Sequence, residues 1–393
     1  MAAAEALFEQ IDIIQNRLYA NLSTPARQWA PPPEVTSHHA VLLHGPRGVG
    51  KTQYLLRWAR ECGGMYCSMD HPLVSSVSVY DLVADAFSRG ITDVFLDEIH
   101  TAPEWSARVK ALCDSFPGKR IRLSGSNSLL MSHGIGDLSR RVLSLPMPFV
   151  SFREYLSLTT GHVHPLLDPF QPESTDYAMA LAAEVPVLTH FEKYLAGGVR
   201  PIGLDHRDVY PQLLLQAAQK TMEGDIPFIV PSITVNHFRL MNAVLGYLAT
   251  APIPTIQVNS LSREWNVGKE KLYSLLHAME QTGLVRIVRK STDHKAMSIG
   301  AKIFLADPSM YRALAGADGN AREAYAACAI ESAGRTIRAE IDERRGDFVV
   351  DGTLRIEVGG PGKERKRSDY VIRDRVDVPA PNVVPLWMLG MMW

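Results

Sequence analysis

Eight residues, from position 45 to position 52, contain glycine, four further residues, glycine, lysine and threonine. The glycines let the backbone wrap around a phosphate with its N–H groups pointing inward, and the lysine supplies a positive charge to the phosphate oxygens. An apolar strand, 40–43, precedes this loop and a helix, 53–60, follows it, which places a helix N-terminus at the phosphate. The pattern predicts that ATP and Mg²⁺ are bound by Gly45, Pro46, Gly48, Val49, Gly50, Lys51 and Thr52, with the Thr52 hydroxyl on the metal.

Two acidic residues, Asp97 and Glu98, follow the apolar strand 93–97 about forty-five residues after the loop. Ligands of open α/β sheets bind at the carboxyl ends of the strands, so both acids are expected beside the bound phosphates. We expect Asp97 to hold Mg²⁺ through water and Glu98 to orient and deprotonate the attacking water. The acid pair therefore favours hydrolysis of ATP over binding alone.

Three further polar residues are candidates for catalysis. Asn127, or alternatively Ser126, follows the strand 120–123 and would lie beside the γ-phosphate, where an amide can position water. Arg140 and Arg141 precede the strand 142–145, and one of them could reach the γ-phosphate of a neighbouring subunit and stabilise the transition state. A solvated basic pair is the alternative interpretation, and the sequence does not choose between the two arginines.

The elements around these residues alternate between strand and helix, which predicts a parallel, doubly wound α/β sheet with helices on both faces. An amphipathic helix, 1–23, comes first, and a proline-rich stretch ends it. Residues from about 150 to 250 are expected to be mainly helical. The predicted strands of the first part are 40–43, 94–96, 120–123 and 142–145.

Bulk properties place limits on the function. A length of 393 residues is enough for several domains, and a net charge of −1 gives no whole-chain argument for binding nucleic acid or a membrane. Four scattered cysteines do not form a disulfide framework. The N-terminus lacks the features of a signal peptide and no apolar run is long enough for a membrane span. We expect a cytoplasmic protein with no membrane partner.

Residues 258–305 follow the pattern of a winged helix: a short helix, a turn at 266–268, a second helix to 282, and two strands at 285–290 and 301–305. Duplex DNA is favoured over RNA because no pattern of stacking aromatic residues is present. Docking of another protein is the alternative interpretation. The candidate DNA contacts are Lys269, Lys271, Tyr273, Arg286, Arg289 and Lys290.

The last ninety residues contain Asp347 and Glu357, which two strands would bring together, and then a basic run. The arrangement is similar to metal-dependent nucleases of the PD-(D/E)xK type, but Gly359 stands at the lysine position. Lys363 follows four residues later, and glycines separate it from the strand. We therefore expect the nuclease fold without nuclease activity. Lys363, Arg365 and Lys366 are candidates for contacts to the DNA backbone, and a solvated face is the alternative. Residues 385–393 are predicted to form a final buried strand or a docking patch.

The order of four motifs resembles the prokaryotic AAA+ ATPases of the AAA_14/DUF4143 type: GPRGVGKT, VFLDEIH, LSGSNSLLM and SRRVLSLPMPFVSFREYL. The resemblance implies an AAA+ core with an N-terminal helix over 1–160, a helical lid over 161–250, a winged helix over 251–305 and a degenerate nuclease-like α/β domain over 306–393. It also implies that Arg140 or Arg141 is the arginine finger and that Arg200, in the Gly197–Pro201 lid segment, senses the nucleotide.

These observations favour an ATP-driven motor or remodeller that acts on duplex or branched DNA, for example in branch migration, repair or defence. ATP would lie at subunit interfaces of a homo-oligomer, with a hexamer favoured. One alternative is a nucleotide-dependent switch that uses the winged helix to control a partner or a promoter. The other is an ATP-dependent nuclease, against which Gly359 argues.

Overall fold

The computed structural model describes residues 2–126, 138–230, 232–251, 262–263, 267–290, 301–342 and 344–393. The chain divides into two compact units, residues 1–148 and residues 149–393. The finer division expected from the sequence, with boundaries at 160, 250 and 305, stays a prediction. No helix in the described part combines the length and the apolarity that a membrane crossing requires.

A parallel sheet of five strands forms the centre of the first unit, in the order β2-β3-β4-β1-β5. Every neighbouring pair is parallel, because a crossover rather than a hairpin joins successive strands. The predicted α/β class with a doubly wound parallel sheet is therefore confirmed. The strands are β1 (Ala40–His44), β2 (Met65–Ser68), β3 (Asp93–Asp97), β4 (Arg120–Gly125) and β5 (Val142–Pro146).

Helices cover both faces of this sheet, because successive side chains of a buried strand point to opposite sides. Val94 and Leu96 of β3 belong to one apolar cluster with Leu82 and Val109 from two of the helices. Phe95, between them, lies on the other face, with its ring centroid 5.6 Å from that of Trp58. The helices of the unit are α1 (Ala2–Ala20), α2 (Pro33–Ser37), α3 (Lys51–Cys62), α4 (Val79–Ser88) and α5 (Trp105–Ser115).

Strand β2 was not predicted from the sequence. It has only four residues of mixed type, Met65–Ser68, and neither a period of two nor a long apolar run marks it. It forms the edge of the sheet and pairs with β3 alone. Gln15 of α1 lies along its outer side: the Gln15 Oε1 accepts the Tyr66 N–H at 2.5 Å, and the Nε2 donates to the Gly64 carbonyl at 3.3 Å.

The second unit is helical up to residue 250, as the sequence predicts. Two stretches form wider π-type turns, Tyr194–Gly198 and Thr221–Asp225. They extend the helices that end at Lys193 and Lys220. The described helices are α6 (Phe152–Thr160), α7 (Glu173–Glu184), α8 (Val187–Lys193), α9 (Ile202–Asp205), α10 (Tyr210–Lys220), α11 (Ile226–Ile229), α12 (Val235–Thr250), α13 (Lys269–Gln281), α14 (Ser309–Ala313) and α15 (Asp318–Ser332).

Two sheets follow in the second unit. An antiparallel pair joins β6 (Val285–Val288) and β7 (Lys302–Leu305). A mixed sheet has the order β12-β11-β10-β9-β8, antiparallel from β8 to β10 and parallel from β10 to β12. Its strands are β8 (Ile337–Ala339), β9 (Phe348–Val350), β10 (Leu354–Gly359), β11 (Tyr370–Arg373) and β12 (Val383–Pro385).

The prediction of a strand over 385–393 is wrong. Strand β12 ends at Pro385, and Leu386–Met391 form a 3₁₀ helix in which every residue is buried. An apolar run that is buried on all sides has no alternation, so its sequence pattern cannot distinguish a strand from a helix. Gly390 shows how tightly this helix packs: a Cβ placed there would lie 2.6 Å from the Cβ of Phe152.

Candidate active site

The loop between β1 and α3 contains the glycines of the phosphate-binding pattern. Gly48 and Gly50 have φ angles of 80° and 99°, a conformation that a residue with a side chain adopts only with strain. A Cβ on Gly45 would lie 2.6 Å from the carbonyl oxygen of Met147, so the close approach of the 147 backbone requires glycine here. Lys51 is 7% exposed, and its ammonium donates to the Gly45 carbonyl at 2.8 Å and the Pro46 carbonyl at 3.1 Å.

Arg27 braces this loop from outside the motif. Its Nη1 donates to the carbonyl of Val49 at 2.8 Å and to that of Pro148 at 2.9 Å, and so ties the loop to the segment after β5. Sequence analysis missed this residue, because Arg27 precedes Val49 by 22 positions and belongs to no recognised pattern. The bond fixes a backbone position that a phosphate-binding loop needs to hold.

Asp97 ends β3 and is 2% exposed. Its Oδ2 accepts a hydrogen bond from the Tyr66 hydroxyl at 2.9 Å, and its Oδ1 accepts one from the Glu98 N–H at 3.1 Å. The Ser124 hydroxyl, at the end of β4, also donates to Oδ1. Both oxygens are therefore held by protein donors, as a buried carboxylate requires. A carboxylate held in this way acts on a metal ion through an intervening water more readily than by direct coordination.

Tyr66 and Ser124 were not among the predicted site residues. Burial first, and the neighbouring Asp97 second, raise the pKa of Tyr66 far above its ordinary value, so its hydroxyl keeps the proton that it donates. Ser124 could have been found, because it begins the Ser-Gly-Ser-Asn segment that the sequence singles out. No pattern marks Tyr66, which reaches the site only because β2 pairs beside β3.

Glu98 lies one residue beyond β3 on a left-handed backbone with φ 48°. Non-glycine residues in this region are uncommon and often mark functional positions. Its Oε2 lies 3.4 Å from Nδ1 of His100, and its side chain is 24% exposed. Thr52, Asp97 and Glu98 line one cavity of about 550 Å³, whose apolar wall includes Ile11 and Leu18 of α1. The fold thus brings together the predicted metal-binding and water-activating residues.

The structure describes some of the remaining predicted catalytic residues and not others. Asn127 lies outside the described residues, whereas Ser126 is described and buried. Arg141 forms a two-point ion pair with Asp114, from Nε to Oδ1 at 2.6 Å and from Nη2 to Oδ2 at 3.0 Å. Arg140, its neighbour, is exposed. The structure thus separates the two arginines: Arg141 is paired with Asp114, and Arg140 is exposed.

Comparison with known proteins agrees with this geometry. Residues 37–156, which contain the loop, the acid pair and the whole five-stranded sheet, match the family model described as an AAA domain, AAA_14. This segment is similar to AAA domains. A protein of Methanocaldococcus jannaschii described as uncharacterized is 32% identical over 133 residues, which is 30% of this chain. The matched part spans 28% of that relative's own length.

Solved structures similar to the chain include P-loop ATPases. The Walker-type ATPase of Pyrococcus abyssi is 15% identical, with a TM-score of 0.40 over 71% of this chain and 92% of its own. The RuvB Holliday junction branch migration motor of Thermotoga maritima is 18% identical, with a TM-score of 0.32 over 64% of this chain and 82% of its own. The fold of the first unit is defined by its own strand order.

Arg200, predicted as a nucleotide sensor, belongs to the second unit. Its Nε donates to Oδ2 of Asp307 at 2.6 Å, and both side chains are buried. Its guanidinium also lies 5.3 Å from the centre of the Phe149 ring. Within its own unit Arg200 is thus part of a buried ion pair. Its predicted role as a sensor of the nucleotide stays a prediction.

The predicted winged helix is described in part. Helix α13 and the β6–β7 pair are present, whereas only residues 262–263 of the predicted first helix are described. Arg286 donates to Glu331 at 2.6 Å, and Arg289 forms a two-point pair with Glu280 at 2.7 Å. These acids neutralise the two arginines. Of the other predicted DNA contacts, Lys271 donates to Ser232, Tyr273 and Lys290 are half-buried and Lys269 is exposed.

One part of the sequence reasoning about the nuclease-like segment is wrong. Glycines were expected to hold Lys363 away from Glu357, but its Nζ lies 2.7 Å from the Glu357 Oε1. The absent side chain of Gly359 explains the approach, because a Cβ there would lie 2.5 Å from Cγ of Lys363. Lys366 also reaches Glu357, at 3.0 Å, and Glu357 is completely buried.

Proposed function

We propose that this protein is an ATP-hydrolysing AAA+ motor or remodeller that acts on DNA. The observation that carries the ATPase part is the single cavity lined by Thr52, Asp97 and Glu98, next to the glycine loop and its lysine. A P-loop lysine, a hydroxyl ligand and two acids in one place form the minimum set for hydrolysing a nucleoside triphosphate. The match to an AAA domain over residues 37–156 supports the same reaction.

The residues of the site fit Mg²⁺ bound with ATP. Thr52 is exposed in the first turn of α3, and Asp97 is a fixed carboxylate that can hold a metal-bound water. When bound, Mg²⁺ would neutralise charge on the phosphate oxygens. The chain's own residues then have distinct tasks: the loop N–H groups and Lys51 grip the triphosphate, and Glu98 accepts the proton of the attacking water. His100 lies beside this carboxylate, with its Nδ1 3.4 Å from the Glu98 Oε2.

We infer that ATP lies between subunits of a homo-oligomer, with Arg140 as the arginine finger. Exposure of Arg140 and the ion pair of Arg141 with Asp114 favour this choice. A finger supplied by a neighbouring subunit stabilises the charge of the transition state and links hydrolysis to assembly. The hexamer expected from the family resemblance stays part of this proposal.

DNA is proposed as the partner because the second unit carries basic residues on α13 and in its last sheet. Lys269 is exposed at the start of α13, where a recognition helix makes contacts to phosphates or bases. A nucleotide-dependent switch would bind DNA or a protein through the same elements, but its hydrolysis would be slow and independent of DNA.

Nucleotide binding and hydrolysis test the proposal. We expect Lys51→Ala to abolish binding of labelled ATP, and Glu98→Gln to retain binding but lose at least about 100-fold in turnover, because the general base is removed. Steady-state hydrolysis is then measured with and without duplex or four-way-junction DNA. Strong stimulation supports the motor; slow turnover unaffected by any DNA supports the switch. Binding by Lys51→Ala as tight as that of the parent would refute the site.

A further inference from the structure

Two loops of the second unit bring four exposed arginines to one surface. Arg344 and Arg345 precede β9, and Arg365 and Arg367 lie between β10 and β11. The Arg367 N–H donates to the Arg344 carbonyl at 3.2 Å, so the two loops touch. We call these four residues the arginine surface. Arg365 is one of the contacts predicted from the sequence and Arg367 belongs to the same basic run, whereas Arg344 and Arg345 join them only through tertiary structure.

The loops are held by their own hydrogen bonds, one of which comes from the Arg365 guanidinium, and all four arginine side chains are exposed. The Asp342 carboxylate accepts the Arg344 N–H at 3.1 Å, and the Asp342 carbonyl accepts the Arg345 N–H at 2.8 Å. Arg365 donates to the Asp369 carbonyl at 3.2 Å. Within the described ranges, none of the four arginines forms an ion pair with a carboxylate, in contrast to Arg286 and Arg289 of the β6–β7 pair.

The acids beneath this surface are neutralised internally. Lys302 lies between Glu323 and Asp347, with its ammonium 2.6 Å and 3.0 Å from their oxygens. Lys363 and Lys366 pair in the same way with Glu357. The hydrogen bond to Glu357 raises the pKa of Lys363, and although burial alone would lower the pKa of Lys302, its two carboxylate partners raise it. Lys302 and Lys363 therefore stay charged, and the acids that they contact do not cancel the positive charge of the arginines.

We propose that the arginine surface binds the phosphodiester backbone of nucleic acid. This inference rests on the proposed action on DNA and names the surface that would hold it. Arginine suits the task because its planar fork matches phosphate oxygens in pairs and remains charged at any relevant pH. Three exposed acids of the same loops, Asp342, Glu364 and Asp369, offset part of the charge of the surface. The contacts are to phosphates, so binding is independent of base sequence.

The same geometry indicates binding without cleavage. A metal-dependent nuclease needs carboxylates that are free to coordinate a divalent cation, whereas lysine ammonium groups contact Glu323, Asp347 and Glu357. In the described part of the chain, no three carboxylate, imidazole or thiolate groups are arranged to hold a metal ion. The residues present therefore do not fit the metal that a nuclease fold implies.

Binding of the full chain to a short labelled DNA duplex, measured by fluorescence anisotropy over a range of salt concentrations, tests the inference. We expect Arg344→Ala/Arg345→Ala to reduce the slope of log affinity against log salt by about 2, because each phosphate contact contributes about 0.9. That change corresponds to about a 30-fold loss of affinity at physiological ionic strength. The matched control is Lys193→Ala/Lys220→Ala. It removes the same charge from two exposed positions on helices of the same unit.

One further variant and a folding check keep the result interpretable. Arg344→Lys/Arg345→Lys retains both charges and should keep most of the salt slope, and thermal unfolding checks that each variant folds. If the parent binds DNA and the alanine pair leaves both affinity and slope unchanged, the arginine surface is not the binding site, although the proposed function stands. If the parent neither binds DNA nor is stimulated by it, the proposed action on DNA fails as well.

Incubation of the same duplex with Mg²⁺ or Mn²⁺ tests the absence of cleavage. The strands should stay intact in the presence of the parent protein. A cut that disappears in Glu357→Gln would show that the lysines do not exclude the metal, and would overturn this part of the inference.

Discussion

Asp97 accepts a hydrogen bond at each carboxylate oxygen, from Tyr66 on one side and from Glu98 and Ser124 on the other. Three elements, β2, β3 and β4, therefore set the orientation of one side chain. Hydrogen bonds to an ionised group contribute about 1.5–3 kcal/mol each. Loss of the bond from the edge strand would leave the carboxylate free to rotate on that side.

Tyr66→Phe tests this orientation. We expect the Mg²⁺ concentration for half-maximal ATP hydrolysis to rise about tenfold, because about 1.5 kcal/mol of hydrogen bonding that holds Asp97 is lost. Affinity for nucleotide without Mg²⁺ should not change, since in the described part of the chain the Tyr66 hydroxyl donates to Asp97 and not to the glycine loop. Steady-state hydrolysis over a Mg²⁺ titration measures the effect.

Tyr80→Phe is the matched control, because its hydroxyl contacts Ser115 at 3.4 Å in the same unit and does not reach the acids. An identical Mg²⁺ titration curve for Tyr66→Phe and the parent would show that Tyr66 does not position Asp97.

Among individual residues, the sequence predicts those whose function depends on local spacing along the chain. The loop from Gly45 to Thr52 and the acid pair can be found because strand, turn and helix are continuous in the chain. Arg27 and Tyr66 could not be found, because their contacts form only after the sheet has paired. The sequence also left the choice between Arg140 and Arg141 open, and the position of Asp114 bears on it.

Strands β3 and β4 begin with an ion pair across their register, in which Asp93 lies opposite Arg120. The Arg120 Nε and Nη2 donate to the two Asp93 oxygens at 2.5 Å and 2.8 Å. Burial alone would raise the pKa of Asp93, but the hydrogen bonds from Arg120 and Thr92 outweigh it, so the pKa lies below its ordinary value. Asp93 is buried, whereas the side chain of Arg120 is 49% exposed.

This pair gives the first unit a stability that depends on pH. A carboxyl group whose pKa is lower in the folded state than in the unfolded state stabilises the fold. This stabilisation is fully present at pH values above the unfolded-state pKa, and it is lost as the pH falls through the folded-state pKa. We expect Arg120→Gln to lower the free energy of unfolding by about 1 kcal/mol at neutral pH, a figure reduced for the exposure of Arg120. Below pH 4 the difference from the parent should shrink.

Thermal unfolding of the two proteins from neutral to acid pH measures the difference. Arg89→Gln, which removes an exposed helical ion pair with Asp85, is the control and should show a smaller effect at every pH. A constant difference between Arg120→Gln and the parent down to pH 3 would contradict the assigned role of Asp93.

Helices and strands could be predicted from the sequence where their pattern of apolar residues was long. The strands of the sheet with continuous apolar runs and the helix α12 were found, because a buried strand or an amphipathic helix repeats its pattern several times. Strand β2, with four residues of mixed type, was missed. The last apolar segment was assigned to a strand although Leu386–Met391 form a helix, because burial on all sides removes the alternation that distinguishes the two.

In the assembled oligomer that we propose, the arginine finger acts only on the active site of a neighbouring subunit. Mixing two inactive variants can test this. Arg140→Ala retains its own acids, and Glu98→Gln retains its own finger. In an equal mixture, about a quarter of the interfaces combine an intact Glu98 with an intact Arg140 of the neighbour, so that fraction of the hydrolysis rate should return.

Each variant alone should be nearly inactive yet bind ATP. Arg60→Ala, at an exposed position of the same unit, should have parental activity alone. If the mixture of Arg140→Ala and Glu98→Gln stays inactive although the two proteins co-assemble, Arg140 does not act in a neighbouring active site.

The side chain of Gln15, on α1, has a consequence for how the molecule behaves at high concentration. An open strand at the border of a sheet presents N–H and carbonyl groups that the same strand of another copy can join, which leads to fibres or precipitates. Gln15 occupies two of these groups on Tyr66 and Gly64, in the manner of one residue of an additional strand. The first helix thus protects the sheet from self-association, and a chain shortened at its N-terminus would lose solubility before it lost its fold.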